Sequence, residues 1–344
     1  MRRLFALFTV MIVLFAGNSA AAQDATPAAT PADGCPTTTE AENESIVRQY
    51  QEEVLSQGNL DLLDDIWAED LAHDDATGTD IVTLDEGKRR VALLRTAFPD
   101  LSVTIDEVMT EGDLVAVRYT RSGTHQGEYL GILATGNEAS WTGINVYRIA
   151  CGRIAESWNE TDNLDLLRQL GAMPAGQGSS TATGATPLAV EASPTAATCA
   201  TTTEDENESI ARQWEEEVLG QGNLDLAEDL LAEDFAHDGA VGAETASREE
   251  RIQRVVDFRA AFDLSVTVEE VLTEDDLVLV RYTNTATHQG EYAGIAPTGR
   301  DVTWTGIVVF RIECGGIVET WSESDRLGLL QQLEAETEPA TPAS

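Results

Sequence analysis

The feature that most constrains this chain is a long internal repeat. The letters TTTE at residues 37–40 return at residues 201–204, and QGNLDL at 57–62 returns at 221–226. All four histidines and all four cysteines of the 344 residues fall into matching pairs. Solenoid units are only about 20–45 residues long, so each copy of this repeat is a domain that can bury its own core. The sequence therefore predicts two tandem domains of one fold.

The repeat also sets the domain bounds. We predict the first copy at residues 37–172 and the second copy at residues 199–333. Residues 173–198 are rich in Gly, Ser, Thr, Ala and Pro, which predicts a flexible linker. The lead at residues 23–36 and the tail at 334–344 are poor in apolar residues and are predicted to be disordered.

The first 22 residues have the pattern of a secretory signal peptide. Met1-Arg2-Arg3 is a basic start, residues 4–16 are apolar, and residues 20–22 are small. We therefore expect a secreted, extracytoplasmic protein that begins after Ala22. No other apolar run approaches the ~20 residues that span a bilayer, so we expect no membrane insertion of the mature chain.

The charge of the chain restricts its partners. With 61 acidic and 21 basic residues, the formal net charge is -40. Such a chain repels the phosphates of nucleic acids, so we expect no nucleic-acid partner. The acidic surface is typical of a protein that must stay soluble.

Four cysteines in an exported chain predict disulfide bonds, for which three connectivities exist. The duplication favours one bond in each copy. These bonds would join Cys35 to Cys151 and Cys199 to Cys314.

Each copy begins with a helical pattern and then changes to a period of two. Thr39 and Glu42 have the spacing of a capping box. A second helix is predicted to begin at Leu60 and to end at residues 71–74, and a third to span residues 86–98. Alternating strands and a short closing helix follow. This order predicts an α+β fold in which helices pack on one face of a curved antiparallel sheet.

Asp162 and Asp325 are the candidate catalytic carboxylates. Strand parity would place Asp162 on the same face as Ile154, Glu156 and Trp158. A carboxylate beside a tryptophan in an apolar pocket is suited to acid–base chemistry, because burial raises its pKa towards neutrality. The alternative is that Asp162 and its counterpart only cap the closing helices.

The histidines are the other candidates. His125 and His288 lie where a strand leaves the sheet and could hold a carbonyl or carry a proton. His73 and His237 follow the second helix, but three convergent metal ligands are not visible, so we predict no metal site. No nucleotide- or flavin-binding motif occurs, so we predict no cofactor. Across the hairpins, Glu156 and Glu319 are predicted to pair with Arg148 and Arg311.

Several motifs occur in the same order in both copies, most of them with substitutions in one copy. They include QGNLD at residues 57–61, GTHQGE at 123–128, IAESWNETD at 154–162, LLRQLG at 166–171 and GIAPTGR at 294–300. On these motifs the chain resembles the SnoaL-like polyketide cyclase, or ester cyclase, family of the NTF2-like superfamily. The resemblance covers roughly residues 40–171 and 204–333.

The resemblance implies two cone-shaped domains, each a curved sheet wrapped by helices around an apolar pocket. Characterised members close a ring of an aromatic polyketide ester by aldol condensation without cofactor or metal. Carried over, this gives an acid–base role to Asp162 and Asp325 and a supporting polar role to His125 and His288. The predicted pocket residues are Trp141, Trp158, His73, Trp304, Trp321 and His237. The two copies are expected to pack as an intramolecular pseudo-dimer.

Two functions therefore remain open. The first is a cofactor-free enzyme of cyclase, isomerase or lyase type that acts on a small apolar carbonyl or ester. The second is an extracytoplasmic, non-catalytic binding module for a hydrophobic small molecule. The fold alone does not decide between them.

Overall fold

The computed structural model describes residues 37–75, 78–172, 201–237 and 246–334. Within this part, both copies run from helices through strands to a closing helix, which confirms the α+β class and the tandem arrangement. The order of elements in the first copy recurs in the described part of the second copy, as the repeat predicts.

The described part of the first copy contains six strands and four α-helices. In chain order these are α1 (Glu40–Gln49), α2 (Leu63–Ile66), β1 (Trp67–Asp75), β2 (Gly78–Thr83), α3 (Leu84–Ala97), β3 (Ser102–Glu111), β4 (Leu114–Thr124), β5 (Glu138–Ala150), β6 (Arg153–Thr161) and α4 (Asn163–Gln169). A π-helical segment, Tyr50–Ser56, continues α1, and a 3-10 turn, Leu60–Leu62, precedes α2.

The second copy repeats this plan. Its elements are α5 (Glu204–Gln213), α6 (Leu224–Leu230), β7 (Leu231–His237), α7 (Arg248–Ala261), β8 (Phe262–Glu274), β9 (Leu277–His288), β10 (Asp301–Glu313), β11 (Gly316–Ser324) and α8 (Arg326–Glu334). A π-helical segment, Trp214–Leu219, continues α5.

Each copy forms one sheet. The strand order is β2-β1-β6-β5-β4-β3 in the first copy and β7-β11-β10-β9-β8 in the second. Neighbours are antiparallel, except that β1 runs parallel to β6 and β7 runs parallel to β11.

Local capping signals fix where the helices begin. Thr39 and Glu42 form the predicted capping box at α1, and Thr203 with Glu206 repeats it at α5. In each box the threonine hydroxyl and the glutamate carboxylate satisfy backbone N–H groups that the first helical turn leaves unpaired.

One predicted helix is wrong. The apolar spacing that begins at Leu60 predicts a helix as far as residues 71–74, but α2 ends at Ile66 and the chain continues as β1. The register of β1 pairs His73 with Ser157 and Asp74 with Trp158 on β6. Pairing with this distant strand outweighs the local helical pattern, and it places His73 on the sheet.

The two faces of each sheet have different partners. On β4, Val115, Val117 and Tyr119 point into the core beneath the helices. Leu114 and Ala116, which alternate with them, belong instead to a cluster shared by both copies. The inner face therefore builds the interior of one copy, and the outer face packs on the other copy.

The shared cluster joins the two outer faces through ten buried apolar side chains, five from each copy. Its members are Met109, Leu114, Ala116, Ile144, Val146, Leu272, Leu277, Leu279, Ile307 and Val309. Hydrogen bonds cross this contact in both directions. The backbone N–H of Thr110 donates to Glu274 at 3.0 Å, and that of Thr273 donates to Glu111 at 2.8 Å.

Some predictions fall outside the described residues. These are the signal peptide, the lead, the linker, the tail beyond Glu334, and Cys35 and Cys199. Cys151 and Cys314 are disulfide-bonded, while the predicted pairing stays a prediction. No helix in the described ranges is long and apolar enough to cross a membrane.

Candidate functional site

A cavity of about 710 Å³ lies between the inner face of the first sheet and its helices. This volume falls within the roughly 300–1,000 Å³ typical of small-molecule sites. Apolar side chains form much of its wall, among them Leu55, Trp67, Leu71, Val82, Val91 and Leu94. Polar groups reach it from four strands, namely His73, Tyr119, Arg121, Asn145, Tyr147 and Asn159. The arrangement suits an apolar ligand that carries a few polar atoms.

Tyr147 is held by two amide groups. Its hydroxyl oxygen accepts a hydrogen bond from Gln51 Nε2 at 2.9 Å and another from Asn145 Nδ2 at 2.8 Å. These two bonds occupy both lone pairs of the oxygen, so the hydroxyl proton is available to a third group. Because Tyr147 lines the cavity, that group can be an acceptor on a bound molecule.

Burial keeps the hydroxyl groups of Tyr50 and Tyr147 protonated. Desolvation raises the pKa of Tyr50 to about 12 and raises that of Tyr147 well above its ordinary value. A phenol with a raised pKa stays neutral across the physiological range. Tyr147 is therefore a hydrogen-bond donor that does not titrate under working conditions.

His73 is oriented by its parallel neighbour β6. Its Nδ1 lies 2.8 Å from Ser157 Oγ and 3.1 Å from Asn159 Nδ2. Ser157 and Asn159 also line the cavity. The pairing of β1 with β6 thus brings an imidazole and the two side chains that orient it to one wall.

Arg121 brings a positive charge to the same cavity. Its guanidinium carbon lies 4.2 Å from the centroid of the Tyr119 ring. Among the described residues, buried polar atoms without a hydrogen-bond partner include Arg121 Nε, Trp67 Nε1 and Asn159 Oδ1. Since all three residues line the cavity, these atoms are positioned to bind a ligand or water.

Asp162 and Asp325 are helix caps. Asp162 Oδ1 accepts the backbone N–H of Asp165 at 2.9 Å, and Asp325 Oδ1 accepts that of Gly328 at 2.7 Å. Asp162 is 4% exposed and is not among the cavity-lining residues, although its chain neighbours Thr161 and Asn163 are. The geometry fits the capping alternative, while the acid–base role of the two carboxylates stays a prediction.

His125 and His288 are buried beside phenylalanine rings. Each ring accepts a backbone N–H at Nδ1, from Thr135 at 3.3 Å and from Thr298 at 3.2 Å. Burial lowers the pKa of His288 and favours its neutral form. His125 does not line the cavity of its copy, so the structure places it as a support for the loop that contains Thr135.

The four tryptophans that were predicted to line a pocket occupy two different places. Neither Trp158 nor Trp141 lines the large cavity. Trp158 and Trp321 pack on the cluster shared by the copies, where Arg281 and Arg118 lie over their rings at 4.9 and 4.8 Å. Trp141 and Trp304 pack with Phe98 and Phe262 at the far ends of the strands. The prediction that Trp141 and Trp158 line the cavity is therefore wrong.

A β-bulge explains the error for Trp158. Strand parity assumes that Ile154 and Trp158 share a face, but the register shifts between the pairs Arg148–Glu156 and Ile149–Ile154. Ile154 points into the core of the first copy, whereas Trp158 points to the other copy. One extra residue reverses the faces.

The ion pairs predicted across the hairpins are present in both copies. Arg148 pairs with Glu156 and Arg311 pairs with Glu319, each at 3.1 Å, as predicted. The described residues contain no group of three or more His, Cys, Asp and Glu that could hold a metal. The side chain of His237 lies outside the described part, and only its strand pairing with Thr320 is defined.

The sequence analysis did not identify the polar part of the cavity wall, which is formed by Tyr119, Asn145 and Tyr147. A signal was present in the comparison of the copies. Asn145 and Tyr147 correspond to Val308 and Phe310, two apolar residues at the same strand positions. When every second residue on the core-facing side of a strand is polar in one copy and apolar in the other, the polar copy is the better candidate for a ligand site.

The comparisons with known proteins are consistent with this architecture. A family model described as SnoaL-like polyketide cyclase matches residues 45–170 and 209–333. No curated protein matches the chain.

Solved structures match one copy's length of this chain. TsrD from Streptomyces laurentii is 28% identical, with 40% of this chain and 99% of that chain covered and a TM-score of 0.36. AclR from Streptomyces galilaeus is also 28% identical, with 40% and 85% covered and a TM-score of 0.36. A SnoaL-like polyketide cyclase from Agrobacterium tumefaciens is 17% identical, with 38% and 98% covered and a TM-score of 0.34.

Proposed function

Because this chain belongs to the SnoaL-like polyketide cyclase family, we propose that its first copy performs cofactor-free acid–base chemistry on a small apolar carbonyl or ester compound. The family supports a cyclase-type function that needs no cofactor. The nature of the substrate and the residues that act on it are our proposal.

The observation that carries the proposal is the cavity of about 710 Å³ with Tyr147 and His73 on its wall. A neutral hydrogen-bond donor and an imidazole on one apolar surface are what enolate chemistry needs. The donor stabilises charge on the carbonyl oxygen, and the imidazole moves the proton on carbon.

In this proposal the substrate carbonyl accepts the proton of the Tyr147 hydroxyl. His73 exchanges a proton with the carbon beside that carbonyl, while Ser157 and Asn159 keep its ring in place. Arg121 then attracts the negative charge that develops on the substrate. A water-poor cavity strengthens each of these interactions.

The binding module remains the second candidate, and one observation favours it. Asp162, which the family resemblance selects as acid or base, caps a helix and does not line the cavity. Without a working base the same cavity would only hold a hydrophobic molecule.

A ligand screen followed by turnover assays separates these functions. We expect aromatic ketones or esters to raise the melting temperature of the protein, since a ligand that binds only the native state stabilises it. His73→Gln should retain ligand binding but lower kcat by roughly 10²–10⁴-fold, the usual contribution of general acid–base catalysis.

His237→Gln is the matched control, because His237 occupies the same repeat position in the second copy. It should leave turnover unchanged. Turnover that survives His73→Gln would refute the catalytic role, and ligand binding without any turnover would establish the binding module.

We also propose that the protein works outside the cytoplasm as an intramolecular pair of copies. The basic and apolar N-terminal pattern supports export, and the shared apolar cluster supports the pair. N-terminal sequencing of the exported protein should begin at Gln23. A mature protein that keeps residues 1–22 would contradict export.

A further inference from the structure

The second copy fills its interior differently from the first. Gly87 on α3 corresponds to Arg251 on α7, and Gln51 corresponds to Glu215. In the first copy the ring of Trp67 occupies the space where a side chain on Gly87 would lie. In the second copy Leu231 stands at the Trp67 position, and the Arg251 side chain lies over the Trp214 ring, 5.0 Å from its centroid.

These replacements leave unpaired polar atoms in an apolar interior. Within the described part of the chain, Trp214 Nε1, Glu215 Oε2, Arg251 Nε and Asn284 Oδ1 are buried and have no hydrogen-bond partner. Trp214 is 0% exposed and Glu215 only 2%. Buried polar atoms are nearly always paired in folded proteins, so these four atoms are open to hydrogen bonds from a ligand or from water.

The four side chains belong to one region. Trp214 and Tyr282 share a core cluster with Val218, Val255 and Phe310. Glu215 and Arg251 each shift the pKa of the other, and both act on Tyr282. Asn284 follows Tyr282 by two residues on β9 and therefore lies on the same face of the sheet.

The charge of this region is positive in the absence of a ligand. Burial raises the pKa of Glu215 to about 8, so its carboxyl group is mostly protonated at neutral pH. Arg251 stays charged because a guanidinium keeps its proton even when its pKa is lowered. In the described part of the chain the buried Nε of Arg251 has no hydrogen-bond partner, so this N–H can bind an anion.

We propose that the second copy contains a binding site for a small apolar monocarboxylate, anchored on Arg251 and Trp214. The carboxylate accepts hydrogen bonds from Arg251 Nε and Trp214 Nε1, and the protonated Glu215 donates a third. The apolar body of the ligand packs on the valine and phenylalanine side chains of the same cluster. This site is independent of the chemistry proposed for the first copy.

The test uses calorimetric titration of the full mature chain with benzoate and, separately, with its uncharged isostere benzamide. We expect one benzoate per chain and at least tenfold weaker binding of benzamide. Arg251→Gly, which installs the residue of the first copy, should weaken benzoate at least tenfold. Arg251→Gln, which keeps a polar side chain but removes the positive charge, should have the same effect.

The control is Arg121→Asn, which gives the first copy the residue found at Asn284 and removes the cation of its cavity. It should leave benzoate affinity unchanged. Thermal unfolding of each variant confirms that it is folded. Benzoate binding that survives both Arg251 substitutions, that is lost in Arg121→Asn, or that benzamide equals would overturn the proposal, as would the absence of binding.

Discussion

Glu215 is a carboxyl group enclosed by the core of the second copy, and its protonation is linked to stability. Burial raises its pKa from the ordinary 4.5 to about 8, with only partial compensation from Arg251. The folded state therefore holds the proton more tightly than the unfolded state. The stability that this contributes is complete below the unfolded pKa and is lost as pH rises through the folded pKa.

We predict that the wild type loses more stability than Glu215→Gln between pH 5 and pH 8. The difference should be on the order of 3 kcal/mol, because each pH unit between the two pKa values changes stability by about 1.4 kcal/mol. Urea denaturation at several pH values measures it. Glu323 also has a raised pKa but is present in both proteins, so its effect cancels. Parallel pH profiles would contradict the burial of an unpaired carboxyl group.

Asp162 gives a second prediction for a single residue. Asparagine caps helices as well as aspartate does, so Asp162→Asn should keep both stability and turnover, whereas Asp162→Ala should lose about 1 kcal/mol of unfolding free energy. Urea denaturation and the turnover assay measure the two effects. If Asp162→Asn abolished turnover in a stable protein, the acid–base role would return to this carboxylate.

Sequence reasoning located the chemistry-bearing residue types but not all of their surroundings. The ion pairs of Arg148 and Arg311 were predictable, because hairpin partners lie close together once the turn is known. The position of Trp158 was not, since a bulge within β6 is invisible to strand parity. The role of Tyr147 depends on Gln51, which is far away in the sequence and close only in the folded chain.

At the scale of elements, the contact between α3 and β1 shapes the first cavity. A methyl group on Gly87 would overlap the ring of Trp67. The second copy avoids this overlap because Leu231 replaces the tryptophan. Replacing a glycine inside a helix with alanine normally raises the free energy of unfolding. The sign of that change for Gly87→Ala therefore shows whether the packing against Trp67 is tight.

We predict that Gly87→Ala lowers the free energy of unfolding by roughly 1–3 kcal/mol, the usual cost of overpacking. Adding Trp67→Leu should reduce that cost, because the shorter side chain removes the overlap. A double-mutant cycle by urea denaturation gives the coupling energy. Stabilisation by Gly87→Ala alone would show that Trp67 does not pack against this helix.

The elements that sequence predicts best are those with strong local signals. The capping boxes at Thr39 and Thr203 mark helix starts directly, and alternation marks β3. The local pattern does not predict β1, because its strand character comes from pairing with β6, far along the chain. Local patterns cannot show such a parallel partner.

At the scale of the molecule, the two copies share one apolar cluster and should unfold together. Ile144 and Ile307 occupy equivalent positions in it and are each 1% exposed. Replacing either with alanine should cost roughly 2–5 kcal/mol, as for other large-to-small core substitutions. Both variants should keep a single unfolding transition, because each removes contacts from both copies.

Circular dichroism and tryptophan fluorescence during urea denaturation provide the check. Leu133→Ala is the control, since Leu133 is 74% exposed and its loss should change stability by no more than about 0.5 kcal/mol. Two separate transitions in the wild type would mean that the copies are independent.

Hydrogen bonds between the two copies connect a side chain of each copy with a buried side chain of the other. Thr305 of the second copy donates to Glu160, which lines the first cavity, and Thr142 donates to Glu323 in return, each at 2.5 Å. In a symmetric homodimer every substitution appears on both sides of the axis. In this single chain the two copies are encoded separately. Equivalent positions can therefore hold different residues, such as Gly87 in the first copy and Arg251 in the second. Fusion thereby releases the two halves from identical sequence and fixes their stoichiometry at one to one.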